Sequence, residues 1–191
     1  MPHYKRLLGE KCYLSPCAAE DAARWAEWFN DPEVILPLGD EAYTLTTLEA
    51  EQAALAQALQ HPGHLFTIVD LATEAAIGRC MLFGVNLVDR HAMLGIAIGE
   101  KAYRGKGYGL EVVRLLLDYA FNLLNLHNVM LGVFEFNQAA MRCYEKAGFR
   151  LIGRRRQCRL IAGRRYDEVL MDILEDEFTS PWVKGKMEIY G

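Results

Sequence analysis

The amino-acid sequence predicts a mixed α/β domain, and three observations carry that prediction. Apolar residues recur at helical spacing in some stretches and in short strand-like runs in others. The two kinds follow one another in the order β-α-α-β-β-β-α-β-α-β-β, seven strands and four helices, with no internal repeat and no linker. The chain also has the size and make-up for one core: 191 residues, 52% hydrophobic and 24% charged, enough for about 70% of the extended-chain surface to be buried. Disorder, collagen and coiled coil are excluded as the main architecture.

Residues 11–16 read as a short strand. A helix over 18–30 follows, with Ala22, Trp25, Ala26 and Phe29 at i, i+3, i+4 and i+7, and it stops at Asn30-Asp31-Pro32. A polar connector through Asp40 leads to a second helix over 49–60, with Thr47 or Thr46 as N-cap and His61-Pro62-Gly63 at its end. Three apolar runs, 65–70, 76–85 and 91–98, separated by Thr73-Glu74 and Asp89-Arg90, predict an antiparallel meander. Over 109–125, Val113, Leu116, Leu117, Ala120 and Leu124 share one face and Glu111, Arg114, Asp118, Asn122 and Asn125 the other. Residues 129–134 then read as a strand, 137–147 as a helix stopped by Gly148, and 149–160 and 166–174 as strands joined around Ala162-Gly163. These boundaries predict a single domain over 1–174 and an extension over 175–191, whose Trp182 is expected to pack back on the body.

Composition removes several function classes. The most apolar stretches are interrupted by Asn86, Asp118, Asn122 and Asn125 before reaching the ~18 residues of a membrane span. The opening Met-Pro-His-Tyr-Lys-Arg meets Glu10 and Lys11 before any apolar region develops, unlike a secretory signal, so a cytoplasmic protein without membrane association is expected. Five dispersed cysteines (Cys12, Cys17, Cys80, Cys143, Cys158) with no C-x-x-C pair predict neither a disulfide framework nor a zinc site. His61-Pro-Gly-His64 is a turn with no further ligand nearby, and no metal is expected. Net charge is −4, but its distribution is uneven. From Trp25 to Gly78 there is no Lys or Arg against nine acids (Glu27, Asp31, Glu33, Asp40, Glu41, Glu49, Glu51, Asp70, Glu74), whereas Arg79 to Tyr166 holds fifteen basic residues and six acids. That pattern suits a protein holding an anionic ligand on one side and a cationic one on the other, with drift in surface composition as the alternative.

The sharpest local signal is Arg104-Gly105-Lys106-Gly107-Tyr108-Gly109, between a predicted strand and the amphipathic helix. Glycines let the backbone approach a ligand and turn its N–H groups toward it. The helix N-terminus adds partial positive charge, and Arg104 and Lys106 add whole charges, so the segment predicts a pyrophosphate cradle. Its register is neither that of a Walker loop nor that of the dinucleotide fingerprint.

Arg104-x-x-Gly107-x-Gly109 resembles the signature loop Gln/Arg-x-x-Gly-x-Gly/Ala of the GNAT superfamily of N-acetyltransferases. Asn137-x-x-Ala140-x-x-x-Tyr144-Glu145-Lys146-x-Gly148-Phe149 is similar to the second acetyl-CoA motif of that family, and the likeness covers most of the chain. The opening Glu20-Asp21 helix with Trp28-x-Asn30-Asp31-Pro32 resembles the branch containing ribosomal-protein N-terminal acetyltransferases. The resemblance implies a GNAT-like, mostly antiparallel central sheet of about seven strands, splayed in the middle and flanked by about four helices. Strand 91–98 would part from strand 129–134, and main-chain groups of Ile96, Ala97 and Ile98 would pair with the pantetheine arm. Gly105, Lys106, Gly107, Tyr108 and Gly109, with Arg104, would hold the pyrophosphate, while Asn137 and Tyr144, about 10 Å apart on one helix face, would line the same channel. Asn137 also reads as a plain N-cap, and Tyr144 as a core tyrosine.

The implied chemistry is amine attack on a thioester, with the leaving thiolate protonated. A phenol near pKa 10 facing a thiol near 8.5 is uphill by about 2 kcal/mol, which positioning can absorb, and Tyr144 is the predicted general acid. Where many relatives place a glutamate early in the strand before the loop, this chain has Met93-Leu94. The base is therefore open among His91, Glu100, Glu135 and a water relay. A side-chain amine costs about 4.6 kcal/mol to deprotonate at pH 7 and an α-amine little over about 1, which tilts the acceptor toward low-pKa amines. The seven arginines between Arg150 and Arg165 are expected on a solvated strand face and not in a nucleic-acid footprint. The sequence thus predicts an acetyl-CoA-dependent N-acetyltransferase acting on a protein N-terminal amine or a small cationic amine, with a homodimer among the assemblies left open. The alternative is a non-catalytic coenzyme A-binding or RNA-associated module.

Overall fold

In the computed structural model, residues 3–60, 63–179 and 182 are described. The strands are β1 (Leu7–Leu8), β2 (Cys12–Pro16), β3 (His64–Asp70), β4 (Ala76–Asn86), β5 (His91–Ile98), β6 (Asn128–Phe134), β7 (Arg150–Ile161) and β8 (Arg164–Leu174). The helices are α1 (Asp21–Trp28), α2 (Pro32–Ile35), α3 (Leu48–Gln60), α4 (Tyr108–Asn122) and α5 (Gln138–Ala147). All eight strands join one sheet in the order β1-β2-β3-β4-β5-β6-β8-β7, with β5–β6 parallel. The chain divides into two compact units, residues 1–81 with 96–112 and residues 82–95 with 113–191.

In the first unit β2 pairs antiparallel with β3 over its whole length, from Cys12↔Asp70 to Pro16↔Phe66. Trp25, Trp28 and Phe29 of α1 pack with Val34 and Leu55 in a buried cluster. Asp21 opens α1 later than periodicity places it, because its buried carboxylate accepts from Ala18 N (2.9 Å) and Thr67 Oγ1 (2.5 Å). Thr47 is the cap of α3, its Oγ1 accepting from Ala50 N at 3.1 Å. Two elements go beyond the seven strands and four helices expected. Strand β1 is only two residues paired to Leu14 and Tyr13, and α2 is one turn whose Asp31 cap accepts from Glu33 N, with Pro32 at its first position. The Asp-Pro pair that ends α1 therefore also starts the next turn.

In the second unit β6 pairs antiparallel with β8 from Asn128↔Leu174 to Phe134↔Glu168. Its parallel ladder with β5 is short, running only His91↔Asn128, Ala92↔Val129 and Met93↔Met130. The expected parting of these strands begins there. Val113, Leu116, Leu117 and Ala120 of α4 are fully buried, as the amphipathic pattern predicts. Gly148 ends α5 at φ +108°, a left-handed conformation that favours glycine, and a Cβ there would lie 2.9 Å from the end of the Ile173 side chain. Of the extension expected over 175–191, residues 175–179 and the half-buried Trp182 are described; its other residues, like His61 and Pro62, lie outside the described residues. No helix among the described residues is long and apolar enough to cross a membrane.

Candidate active site

The turn before α4 has the backbone its glycines suggest. Gly105 and Gly107 adopt φ of +71° and +91°, values that side-chain-bearing residues rarely take. A Cβ on Gly105 would meet nothing within 4 Å, and one on Gly107 only the end of the Lys11 side chain, 3.5 Å from Nζ. The turn thus borders open space at the N-terminus of a 15-residue helix, where unpaired N–H groups and the helix dipole favour an anion. These residues fit a pyrophosphate.

The charges around the turn are arranged differently from what the motif suggests. Lys106 is exposed and makes no ion pair among the described residues. Arg104 is turned onto the backbone, its Nε donating to Ile98 O (3.0 Å) and an Nη to Gly99 O (2.9 Å), with Glu33 at 3.9 Å. It braces the end of β5. A cation that the motif does not contain stands at the loop instead: Lys11, whose Nζ donates to Lys106 O at 2.9 Å. Tyr108 anchors the turn from below, its hydroxyl donating to Asp70 Oδ1 at 2.6 Å. That bond pushes the Tyr108 phenol up to about 12. Burial would raise Asp70, but hydrogen bonds from Tyr108 and Thr73 outweigh it and hold the carboxyl below its ordinary value.

The positions expected to meet the pantetheine arm are partly engaged. Ile98 gives its carbonyl to Arg104, and Ala97 O lies so close to Gly78 that any side chain there would overlap it. Next along the chain, Gly99 is packed directly under the indole of Trp28, leaving no room for a Cβ. Trp28 Nε1 donates to Glu100 Oε1 (3.0 Å), which also pairs with Arg24 (2.9 Å). Glu100, a candidate base, thus already accepts from two donors. The remaining residues of the Trp28-x-Asn30-Asp31-Pro32 motif serve local structure as well: Asn30 Nδ2 donates to Ala26 O and Thr46 O, both at 2.7 Å.

In the second unit Asn137 caps α5, its Oδ1 accepting from Ala140 N at 3.2 Å. Tyr144 is half-buried, with its ring against Phe149 at 5.9 Å between centroids. Its hydroxyl makes no hydrogen bond among the described residues. Burial, assisted by the neighbouring Cys143, pushes its phenol well above the ordinary value. His91 is exposed at the paired end of β5, before the strands part. Glu135 follows β6 at the other end, where it accepts from Asp167 N (2.9 Å) and lies 3.5 Å from Arg154. Of the seven arginines, Arg150, Arg154 and Arg155 pair with acids, Arg159 is buried over Phe134 and Arg164 sits over Tyr166. The expected solvated strand face holds for the exposed arginines, three of them compensated by acids, whereas Arg159 departs from it by being buried.

The acidic stretch is largely compensated too. Glu27 pairs with Arg24, Asp31 and Glu33 with Lys101, Glu51 with Arg79, and Glu74 with Lys5 and Tyr13, while Asp70 accepts from Tyr108. Asp40, Glu41 and Glu49 make no ion pair among the described residues, and Glu41 reaches Arg79 only as a longer-range charge.

Comparison with known proteins converges on one family. Residues 11–150 match the family described as Acetyltransferase (GNAT) domain. An uncharacterized N-acetyltransferase p20 of Bacillus licheniformis is 27% identical over 177 residues, 90% of this chain and 97% of its own length. A spermidine N(1)-acetyltransferase of Vibrio cholerae is 33% identical over 111 residues, 58% of this chain and 64% of the relative, less than two thirds of it. The crystal structure of a Vibrio cholerae spermidine N-acetyltransferase in complex with CoA and spermine is similar at a TM-score of 0.80 and 25% identity, covering 88% of this chain and 98% of the other. The signature loop, the parting strands and this match across the greater part of the sequence agree: the chain belongs to the GNAT acetyltransferase family and is an acetyl-CoA-dependent N-acetyltransferase.

Proposed function

We propose that the acceptor is a small cationic amine of the polyamine class, that the turn from Arg104 to Gly109 holds the donor's pyrophosphate, and that Tyr144 protonates the departing thiolate. The acceptor class rests on one observation: in a stretch without a basic residue, the carboxylates held neither by an ion pair nor by a hydroxyl among the described residues are Asp40, Glu41 and Glu49, on the segment after α2 and in the first turn of α3. Three uncompensated negative charges attract a polycation more than a monocation. The names of the Vibrio cholerae relatives point the same way.

Acetyl-CoA supplies an acyl carbon activated as a thioester. A neutral amine nitrogen bonds to that carbon as the carbon–sulfur bond breaks. Tyr144 gives its proton to the sulfur and regains one from solvent, and the proton shed by the amine passes to water. A buried phenol with a raised pKa stays protonated throughout the working range, and a thiolate leaving into the same surroundings is raised with it. Neither Glu100 nor Glu135 can act as a base without giving up donors it already holds. That favours acceptors that lose a proton easily, so a protein N-terminal amine, the acceptor of the ribosomal-protein branch, is the second reading. The five free cysteines suit a reducing compartment and hence the cytoplasm.

Thiol release measured with spermidine, spermine, an aminoglycoside and a peptide with a free α-amine tests the acceptor. The polyamines are expected to give the highest kcat/KM. Turnover of the peptide alone would replace the polyamine reading with the second one, and CoA binding without turnover of any amine would return the chain to a non-catalytic module. In Tyr144→Phe, kcat should fall by about 10² to 10⁴ with CoA affinity little altered. Near-parent turnover with a lower melting temperature would make Tyr144 a core residue only.

A further inference from the structure

We propose that Lys11, which lies outside the signature loop, binds the donor's pyrophosphate, and that Glu111 is the positioning residue that delivers it there. The inference rests on the reading of the turn from Arg104 to Gly109 as the donor's phosphate site.

Lys11 and the loop are 95 residues apart in sequence, and a buried carboxylate brings them together. Glu111, in the first turn of α4, is 9% exposed. Its Oε1 accepts from Lys11 N at 2.9 Å and from Cys12 N at 3.2 Å. The turn that carries Lys11 is closed by Gly9 N donating to Cys12 O (2.9 Å), and Gly9 is packed so closely on the Glu111 carboxylate that a Cβ would overlap it. The main chain of Lys11 is therefore fastened to the same helix that begins at the glycine turn. Its side chain is exposed and extends along the loop, with the ammonium donating to Lys106 O, 6.0 Å from the centre of the Tyr108 ring.

An ammonium carries three donors. One is used on Lys106 O, and no carboxylate pairs with Lys11 among the described residues. Two donors and a full positive charge remain beside Gly107, the residue whose positive φ opens the turn. Lys106 adds a second exposed ammonium from the loop itself. Two cations and the N–H groups of a helix start match a diphosphate, which offers two adjacent anionic groups, better than a single carboxylate.

Calorimetric binding of CoA, dephospho-CoA and pantetheine to the purified chain tests the assignment. Lys11→Met should weaken CoA and dephospho-CoA alike, by fivefold to tenfold, and leave pantetheine unchanged. Glu111→Ala should weaken CoA in the parent background and add little in Lys11→Met, because its effect passes through Lys11; Glu111→Gln, which keeps an acceptor for Lys11 N and Cys12 N, should retain most of the parent's CoA affinity, and a loss in it as large as in the alanine variant overturns the positioning role. Unchanged CoA affinity in Lys11→Met overturns the proposal. So does a loss confined to CoA, which would assign Lys11 to the 3′-phosphate, or an equal loss for pantetheine, which would make Lys11 structural. Gly107→Glu separates the two levels: if it binds CoA as the parent does, the loop reading itself fails, whereas lost binding there with normal binding in Lys11→Met removes Lys11 alone.

Discussion

Replacing Arg104 with Met separates a residue that shapes the loop from one that touches the ligand. Its guanidinium makes two charge-assisted bonds, to Ile98 O at 3.0 Å and Gly99 O at 2.9 Å, from a side chain 31% exposed. Such bonds contribute about 1 kcal/mol each where water can still reach the carbonyls left behind, so the loss should be about 2 kcal/mol. For a protein of this length that is a fall in Tm of about 4–8 °C. CoA affinity should drop because the turn loses its brace, yet its salt dependence should stay as in the parent, since no charge leaves the phosphate site. Lys106→Met should do the reverse, with Tm held within about 1 °C and a flatter dependence of CoA affinity on salt between 0.1 and 1 M, where the Debye length falls from about 10 to about 3 Å. Differential scanning calorimetry and binding isotherms at four salt concentrations measure both. If Arg104→Met melts like the parent and flattens the salt dependence, Arg104 is a phosphate ligand and its two carbonyl bonds are incidental.

Gly99→Ala puts a methyl group into the indole of Trp28, itself 5% exposed. Overpacking of about 1–3 kcal/mol should lower Tm by several degrees, and Trp28→Leu in the same chain should relieve part of it. Additive losses in the double variant would remove the contact as the cause. The Tyr108–Asp70 bond gives an alkaline signature. A phenol raised to about 12 in the folded chain contributes stability that is complete below the unfolded value near 10 and is lost as pH rises from about 10 to about 12. Asp70, held below its ordinary value, contributes in the opposite sense, with stability present above the unfolded carboxyl value and lost as acid protonates it. Melting followed between pH 9 and 12 should show a shallower alkaline decline in Tyr108→Phe than in the parent; superimposed profiles would show that the bond carries no stability.

The parts of the fold that sequence shows best are those set by local period and capping. The strands of the meander and helix α4 begin and end within a residue or two of their apolar patterns, except that α4 stops at Asn122. Strand β1 and helix α2 escape because two and four residues carry no period. The turn at Gly105–Gly109 is legible because positive φ demands glycine, and Asn137 because an N-cap demands a short acceptor. The partners of the charged groups are not legible. Nothing near Lys11 in the sequence announces the loop, since its placement depends on Glu111 one hundred residues away. Arg104 reads as a loop cation because it stands beside glycines, while the carbonyls it binds become available only where β5 ends and the backbone turns.

The same distinction changes what the charge asymmetry can do. Nine acids without a basic residue from Trp25 to Gly78 suggest a broad negative field. Five of the nine are in ion pairs, three of them with Lys101 or Arg79 from beyond that stretch, and a sixth, Asp70, is held by hydroxyls. A field so compensated falls off within a Debye length and steers little at physiological salt. What remains is local: Asp40 and Glu41 adjacent in the chain and Glu49 in the first turn of α3. If the acceptor is the polyamine proposed above, discrimination among amines comes from how many ammonium groups reach these carboxylates at once, and it should grow with the number and spacing of charges on the acceptor.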